Sequence, residues 1–217
     1  MSIAHPRIPE ALSPAEDFEN LLRQALEDEA PLKTVHIEDA SLTECRLAGV
    51  DVRESVLENT VFRDSILDRA SFLDVRFENC DFSNCRMVGA YFDRCQFVRC
   101  KCVGTDLHES IFRHVVWEES NLRYACLDQS KLTDACFRSV DFTEGSLSEA
   151  ALKRFEAFDS RFIRNNFFKT ALAGLDFSRN EFASPILSAA LTELKGAAID
   201  PYQAVELMGL LGVIVKS

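Results

Sequence analysis

The seventeen phenylalanines of this chain are not scattered: thirteen of them share one phase of a five-residue step. Counted in fives from Ile37, the step passes Leu42, Leu47, Val52, Leu57 and Phe62 and ends at Phe177, Phe182 and Leu187. All 31 stops are apolar when Cys102 and Ala157 are included. Chance placement at the chain's hydrophobic content would give such a run with odds on the order of 10^-10, so the period is signal rather than composition.

Two residues before each stop runs a second track, whose 24 occupants from Val35 to Ala150 are only Val, Ala, Cys, Ser, Thr or Gly. Five residues turn an α-helix by about 500° and flip a β-strand from face to face, so neither element buries both tracks. A chain that turns a corner every five residues does bury them, because each stop and its small neighbour then point at one axis. The expectation is a solenoid of short sides, each coil stacked on the last through backbone hydrogen bonds at roughly 4.7–4.9 Å and touching only its neighbours. Large stops and small neighbours fill the interior together.

The segments Ala-Ser-Phe-Leu-Asp at 70–74, Cys-Asp-Phe-Ser-Asn at 80–84 and Val-Asp-Phe-Thr-Glu at 140–144 resemble the pentapeptide-repeat family. The resemblance covers about 150 of the 217 residues. It implies an all-β solenoid, a right-handed quadrilateral pentapeptide-repeat β-helix with 20 residues per coil. The repeats then make between seven and eight coils, a rod of about 35–40 Å. Domain boundaries are expected at 1–34 (N-terminal segment and capping helix), 35–190 (β-helix) and 191–217 (C-terminal helix and dimerisation strand).

Ser13-Pro14-Ala15-Glu16 reads as an N-cap, a proline at the first helical position and a capping-box glutamate, with a helix to about Asp28. Phe18, Leu21, Leu22, Ala25 and Leu26 form its apolar stripe. Its role reads first as a lid over strand edges and core of the first coil, with a partner-binding helix as the alternative. Asp200-Pro201-Tyr202-Gln203 repeats the start signal, followed by an apolar helix, Gly212 as a stop, and Val213-Ile214-Val215 as a short strand. The order Asp-Pro-Tyr-Gln-Ala before Leu-Gly-Val-Ile-Val resembles the C-terminus of the Qnr quinolone-resistance subgroup and its relative MfpA. That resemblance implies a homodimer closed by Tyr202, Leu207, Met208, Leu210, Leu211, Val213, Ile214 and Val215. A self-complementary apolar patch closes naturally with two-fold symmetry. A monomer cap with its strand folded back stays open as the alternative.

Of the eight cysteines, Cys45, Cys80, Cys85, Cys95 and Cys100 lie on the small track and Cys102 on the large one, so they read as core. Cys126 and Cys136 fall just before their stops, where side chains lean outward, which leaves a reactive thiol open there. No metal ligand is assigned: His5, His36, His108 and His114 do not pair with one another or with cysteines at ligand spacing. No Gly-x-Ser-x-Gly elbow, Walker loop or Gly-x-Gly-x-x-Gly is found, so neither catalytic nor cofactor-binding residues are expected.

The net charge of -11, from 35 acidic and 24 basic residues, disfavours direct nucleic-acid binding, since no basic surplus displaces counterions. The longest apolar stretch, Leu207 to Val215, is about half of a bilayer span, and Met1 to Phe18 lacks the apolar block of a signal peptide. The expected location is therefore the cytoplasm. With stops sorted onto four sides, the side of Leu57, Phe77, Phe97, Trp117, Phe137, Ala157 and Phe177 is the most acidic. It carries Glu58, Glu78, Glu118, Glu119, Glu156, Asp159 and Asp176 against Arg76, Arg99, Arg138 and Arg179.

The Qnr-like resemblance implies a non-enzymatic DNA mimic whose acidic rod binds DNA gyrase or topoisomerase IV and protects it from fluoroquinolones or a natural gyrase poison. The alternative is a structural or adaptor β-solenoid presenting its surface to another protein. No loop interrupts the 31 stops, unlike the projecting loops of several Qnr proteins. Between 155 and 185 the small track is broken by Phe155, Asn165, Leu175, Asn180 and Pro185, so irregular coils are expected there.

Overall fold

The computed structural model describes residues 3–15 and 17–216. In chain order the strands and helices are β1 (Ser13–Pro14), α1 (Phe18–Glu27), β2 (Leu32–Lys33), β3 (Val35–Glu38), β4 (Asp51–Glu58), β5 (Ser71–Glu78), β6 (Tyr91–Val98), β7 (Ile111–Glu118), β8 (Lys131–Arg138), β9 (Ala151–Phe158), β10 (Arg161–Ile163), β11 (Glu181–Ala183) and α2 (Pro201–Leu210). From β4 to β9 each eight-residue strand pairs in parallel with the strand 20 residues on, as in Val52↔Phe72 and Leu57↔Phe77. Isolated bridges with the same spacing, such as Ser41↔Val61 and Arg46↔Ile66, hold the other sides. The result is the expected β-solenoid, of about eight turns.

From the first coils to Lys169 every side ends in a left-handed residue. From Asp39 to Lys169 each residue two places after a stop has positive φ, with glycine only at 49, 89 and 104. Such a conformation costs a non-glycine residue about 1–2 kcal/mol. The stacking offsets that cost, because the corner amide donates to the coil above: Asn59 N to Glu78 O at 2.9 Å, Asp64 N to Ser83 O at 3.0 Å.

Of the 31 stops, only Leu152 and Leu187 are not fully buried, and both still pack against the core. The aromatic stops stack coil upon coil. Phe72 lies over Phe92 with ring centres 5.2 Å apart, Phe92 over Phe112 at 5.0 Å, and Phe77 over Phe97 at 4.6 Å. Burial of each such ring contributes about 2–3 kcal/mol.

The small track does more than leave room. Ser110 Oγ donates to Met87 O at 3.0 Å and accepts from Ala90 N at 3.1 Å, joining two coils at a corner that the strand ladder does not reach. Thr105 donates likewise to Phe82 O, and the Cys80 and Cys95 thiols to Leu57 O and Phe72 O. The expected irregularity beyond 155 has a physical content. Asn180 performs the serine's task with an amide, donating to Ala157 O at 2.9 Å while its Oδ1 accepts from Ser160 N at 3.0 Å. Phe155 and Ala157 exchange sizes: the Phe155 ring fills the space beside Phe137, 5.0 Å away edge-on, that the alanine stop leaves. Strand pairing thins to the three-residue ladder of β10 and β11.

The N-terminal end departs from expectation. Ser13 and Pro14 do not start a helix; they form β1 against Val35 and His36 of β3. The helix begins at Phe18, with Asp17 as N-cap accepting from Asn20 N at 3.2 Å. An unsatisfied edge of β3 takes the Ser-Pro pair, and the aspartate is the first capping side chain free to serve. Glu16 of the expected capping box lies outside the described residues. Phe18 and Leu22 are buried in the core, so α1 does cover the first coil. Residues 3–12 form no helix or strand and run along the outside of the rod as far as the coil of His114.

At the other end, α2 starts as expected, with Asp200 accepting from Tyr202 N and Gln203 N and Gln203 answering with a bond from Asp200 N. Gln203 Nε2 then donates to Asn180 O and to Phe177 O, which also accepts from Asn180 N, and so ties α2 to the end of the rod. Residues 213–215 are a correction: they carry no strand, because nothing within the chain offers them a ladder.

Candidate functional site

The solenoid sorts surface residues into columns parallel to its axis, one residue per coil. Register places Glu38, Glu58 and Glu78 directly over one another, and the column continues through Val98, Glu118 and Arg138 to Phe158. Three carboxylates at the coil spacing of about 4.8 Å form the densest negative line on the rod. Glu38 belongs to it, although sequence reasoning did not include it; the 20-residue spacing from Glu58 is the signal that could have found it.

The seven residues expected on the acidic side do lie there in sequence order along the rod, but not as one uninterrupted negative surface. Glu78 is held by Arg76 at 2.6 Å and also by Arg99 of the next coil. His36 Nε2 stands 3.5 Å from Glu58, and Arg179 lies 3.9 Å from Asp159. Asp176 accepts from Ser178 N at 2.9 Å, and hydrogen bonding by the Ser178 hydroxyl first and its backbone N–H second holds the carboxyl below the usual range. Glu118 and Glu119 line a shallow depression of about 350 Å³ with Arg76, Gln96 and Arg99, and Glu156 flanks a smaller one with Phe155 and Phe158.

Elsewhere the charges pair between coils. Arg154 clasps Asp134 through Nε and Nη2, both at 2.5 Å; Lys169 meets Glu149 at 2.9 Å, and Arg161 meets Glu181 at 3.0 Å. Each pair is 20 residues apart. The most buried is Arg94 with Asp74, Nε to Oδ1 and Nη2 to Oδ2 both at 2.7 Å, with Asp74 only 4% exposed. Burial alone would raise the Asp74 carboxyl. The bonds from Arg94 and from the Arg7 backbone outweigh it and hold the group below the usual range.

The expected dimer residues divide. Tyr202 and Ile214 are 88% and 84% exposed, and Met208, Leu210, Leu211, Val213 and Val215 are also open to solvent. Leu207 is a correction: at 4% exposed it belongs to the core, one helical turn from Gln203 on the face of α2 that closes the last coil.

The cysteines expected in the core are there, and burial pushes the Cys85 and Cys95 thiols up to about 12. Cys136, expected to lean outward, is fully buried, whereas Cys126 is partly exposed; burial raises both. Among the described residues no group of three or more His, Cys, Asp or Glu is placed to hold a metal ion, and no helix is long and apolar enough to cross a membrane.

Two profiles match the sequence, one described as "Pentapeptide repeat region" over residues 70–152 and one as "Pentapeptide repeats (9 copies)" over residues 35–86, together spanning more than half of the chain. Among solved structures the chain is similar to HetL, a pentapeptide repeat protein involved in heterocyst differentiation regulation from the cyanobacterium Nostoc sp. strain PCC 7120. That match is 17% identical, covers 85% of this chain and 98% of HetL, and has a TM-score of 0.49. A trypsin-treated form of QnrB1, a plasmid-mediated fluoroquinolone resistance protein, is 21% identical, with 83% and 90% of the two chains covered and a TM-score of 0.43. Rfr23 from the cyanobacterium Cyanothece 51142 is 12% identical over 85% of this chain and all of its own, with a TM-score of 0.28. No curated protein matches the sequence.

Proposed function

This chain belongs to the pentapeptide-repeat family, and from that premise we propose that it is a non-catalytic binding rod whose target is a type II topoisomerase, DNA gyrase or topoisomerase IV. Pentapeptide-repeat proteins are generally structural or interaction proteins. Here the acidic side stands in for duplex DNA, and binding protects the enzyme from fluoroquinolones or from a natural gyrase poison.

The observation that carries this reading is the in-register column of Glu38, Glu58 and Glu78. A negative line along a stiff rod is steered toward a positive DNA-binding saddle. Duplex DNA carries a charge about every 1.7 Å, several times denser than this column, so the mimicry is local to the first coils rather than continuous. The exposed apolar tail from Tyr202 to Val215 supplies a second copy of the chain as partner, which sets two rods end to end.

A supercoiling assay on gyrase, with the protein titrated in with and without ciprofloxacin at two salt concentrations, tests the proposal. Rescue at low protein that fades as salt rises is the expected result. No effect at any concentration defeats it and leaves the second reading, an adaptor solenoid. One observation favours that alternative: ion pairs between coils, such as Arg154 with Asp134, neutralise much of the remaining surface.

A further inference from the structure

The outer segment Ile3–Leu12 is bound to the rod in a way that reads as recognition. The residues that hold it come from one corner column and its neighbour: Asp74 and His114, and Gln96 beside them. Asp74 Oδ1 accepts from Arg7 N at 2.9 Å, His114 Nδ1 accepts from Ala4 N at 3.4 Å, and Gln96 Nε2 lies 2.8 Å from His5 Nδ1. Main-chain amides are thus received by side chains of the solenoid, not by a strand ladder.

The spacing is matched. Asp74 and His114 are two coils apart, about 9.6 Å, and three residues of extended chain cover about 10 Å. Pro6 lies within this stretch and Pro9 two residues beyond it; neither has an N–H to donate to a ladder, and the proline-interrupted segment stays a single strap. Ile3, Pro6, Ile8 and Leu12 are half-buried against the rod, and Leu12 sits in a depression formed with His36, Val56, Glu58, Arg76 and Glu78.

The strap carries Arg7 and Glu10 and no net charge. Burial raises the Asp74 carboxyl, the bonds from Arg94 and the Arg7 backbone outweigh it, and the Arg7 charge lies near enough to help hold the carboxyl down. The rod's surface here is not used up: among the described residues Asp93 Oδ1 and Arg76 Nε are buried without a hydrogen-bond partner. Before β1, the strap is fastened by the three side-chain contacts above.

We propose that the column Asp74–His114 and the adjoining surface around Gln96 and Glu58 form a docking track for an extended, proline-interrupted peptide segment of a partner protein, one that offers main-chain amides to Asp74 and His114 as the strap does. Residues 3–12 are its resident occupant in cis. A partner segment binds by displacing the strap, so the strap lowers apparent affinity by the fraction of molecules in which the track is covered. This goes beyond the topoisomerase reading; the two share the surface around Glu58, and the test below contains no topoisomerase, so either can fail without the other.

The test uses a fluorescein-labelled peptide with the sequence of residues 3–12 and a chain truncated to begin at Ser13, with the full chain beside it and no topoisomerase present. The peptide is expected to bind the truncated chain at least about tenfold tighter than the full chain. Replacing the Pro6–Arg7 amide of the peptide by an ester, which removes the N–H donor to Asp74 without adding bulk, is expected to weaken binding about tenfold or more. A truncated chain that melts like the full chain yet binds the peptide no better than a scrambled peptide overturns the proposal.

Should the truncated chain fail to fold, the full chain answers by hydrogen exchange. Excess peptide is expected to speed exchange of the amides of Ala4 and Arg7 severalfold. Unchanged exchange at saturating peptide overturns the proposal there too.

Discussion

Gly145 sits beneath the ring of Phe142, so close that a Cβ built on it would stand well inside van der Waals contact with the ring edge. Its backbone is ordinary, since it does not share the positive φ of the corner glycines. The constraint is therefore steric: this is a small-track position at which even a methyl group is too large. Gly145→Ala is expected to destabilise the chain by about 1–3 kcal/mol. Pairing it with Phe142→Leu, which shortens the intruding side chain, is expected to recover part of the loss, and denaturant unfolding of the two variants and the double variant measures the coupling.

Ser110 bridges Met87 O and Ala90 N. Ser110→Ala removes both bonds and leaves Ala90 N and Met87 O with only the 3.2 Å bond to each other, and is expected to cost about 0.5–1.5 kcal/mol. Equilibrium unfolding reads it. If the loss is below a few tenths of a kcal/mol, the small track serves packing alone.

The Asp134 carboxyl is held below the usual range, chiefly by its hydrogen bonds to Arg154. A depressed carboxyl stabilises the fold above its unfolded value near 3.9, and that contribution is lost as pH falls through the lower folded value. Arg154 is half exposed, so solvent screening limits the pair to about 1 kcal/mol or less. Asp134→Asn is expected to lower stability by that amount at pH 7 and to flatten the acid limb of a stability profile taken from pH 5 to pH 2.

Thiol reactivity separates the cysteines. Cys85 and Cys95, with pKa values pushed up to about 12 by burial, stay protonated and shielded at pH 8. Ellman's reagent on the native protein at that pH is expected to modify Cys126 first, with Cys126→Ser removing the early phase, and to reach the buried thiols only on unfolding. The raised thiols act on stability at the alkaline end: their contribution is intact below the unfolded thiol pKa near 8.5 and fades as pH rises beyond it.

Leu211→Glu together with Ile214→Glu alters only exposed positions of the tail, so the melting transition is expected to stay within about 0.5 kcal/mol of the parent. Light scattering then reports whether the mass falls from two chains to one; an unchanged mass removes the tail as an interface. Leu207→Glu buries an unpaired charge and is expected to loosen the end cap itself.

The five-residue phase, its small companion track and the start of α2 were legible because each is a local pattern that one physical demand produces. Burial around one axis fixes the first two, and an Asp-Pro helix start fixes the third. The corners were not legible in the same way, since their left-handed residues include Asp74, Arg94, His114 and Tyr124, a mixture with no common side-chain chemistry. What the corner positions share is a place in the turn, where amides such as those of Asn59, Asp64 and Tyr124 are taken up by the next coil, which no single segment reveals. The same holds for Arg94 with Asp74 and Arg154 with Asp134, partners that adjoin only after the chain has gone once round. Ser13-Pro14 misled because the same pair that opens a helix also fits a strand edge, and the edge of β3 was the nearer claimant.

The 20-residue register makes the surface a geared mechanism. Removing one pentapeptide would leave the interior sequence pattern in phase, yet turn every residue beyond the cut by a quarter revolution about the axis. Arg154 would no longer stand over Asp134 if the cut fell between them, and Glu118 would leave the line of Glu38, Glu58 and Glu78 if it fell between residues 78 and 118. Removing a whole coil would shorten the rod and preserve every alignment. Length in this chain can therefore change freely only in steps of twenty residues.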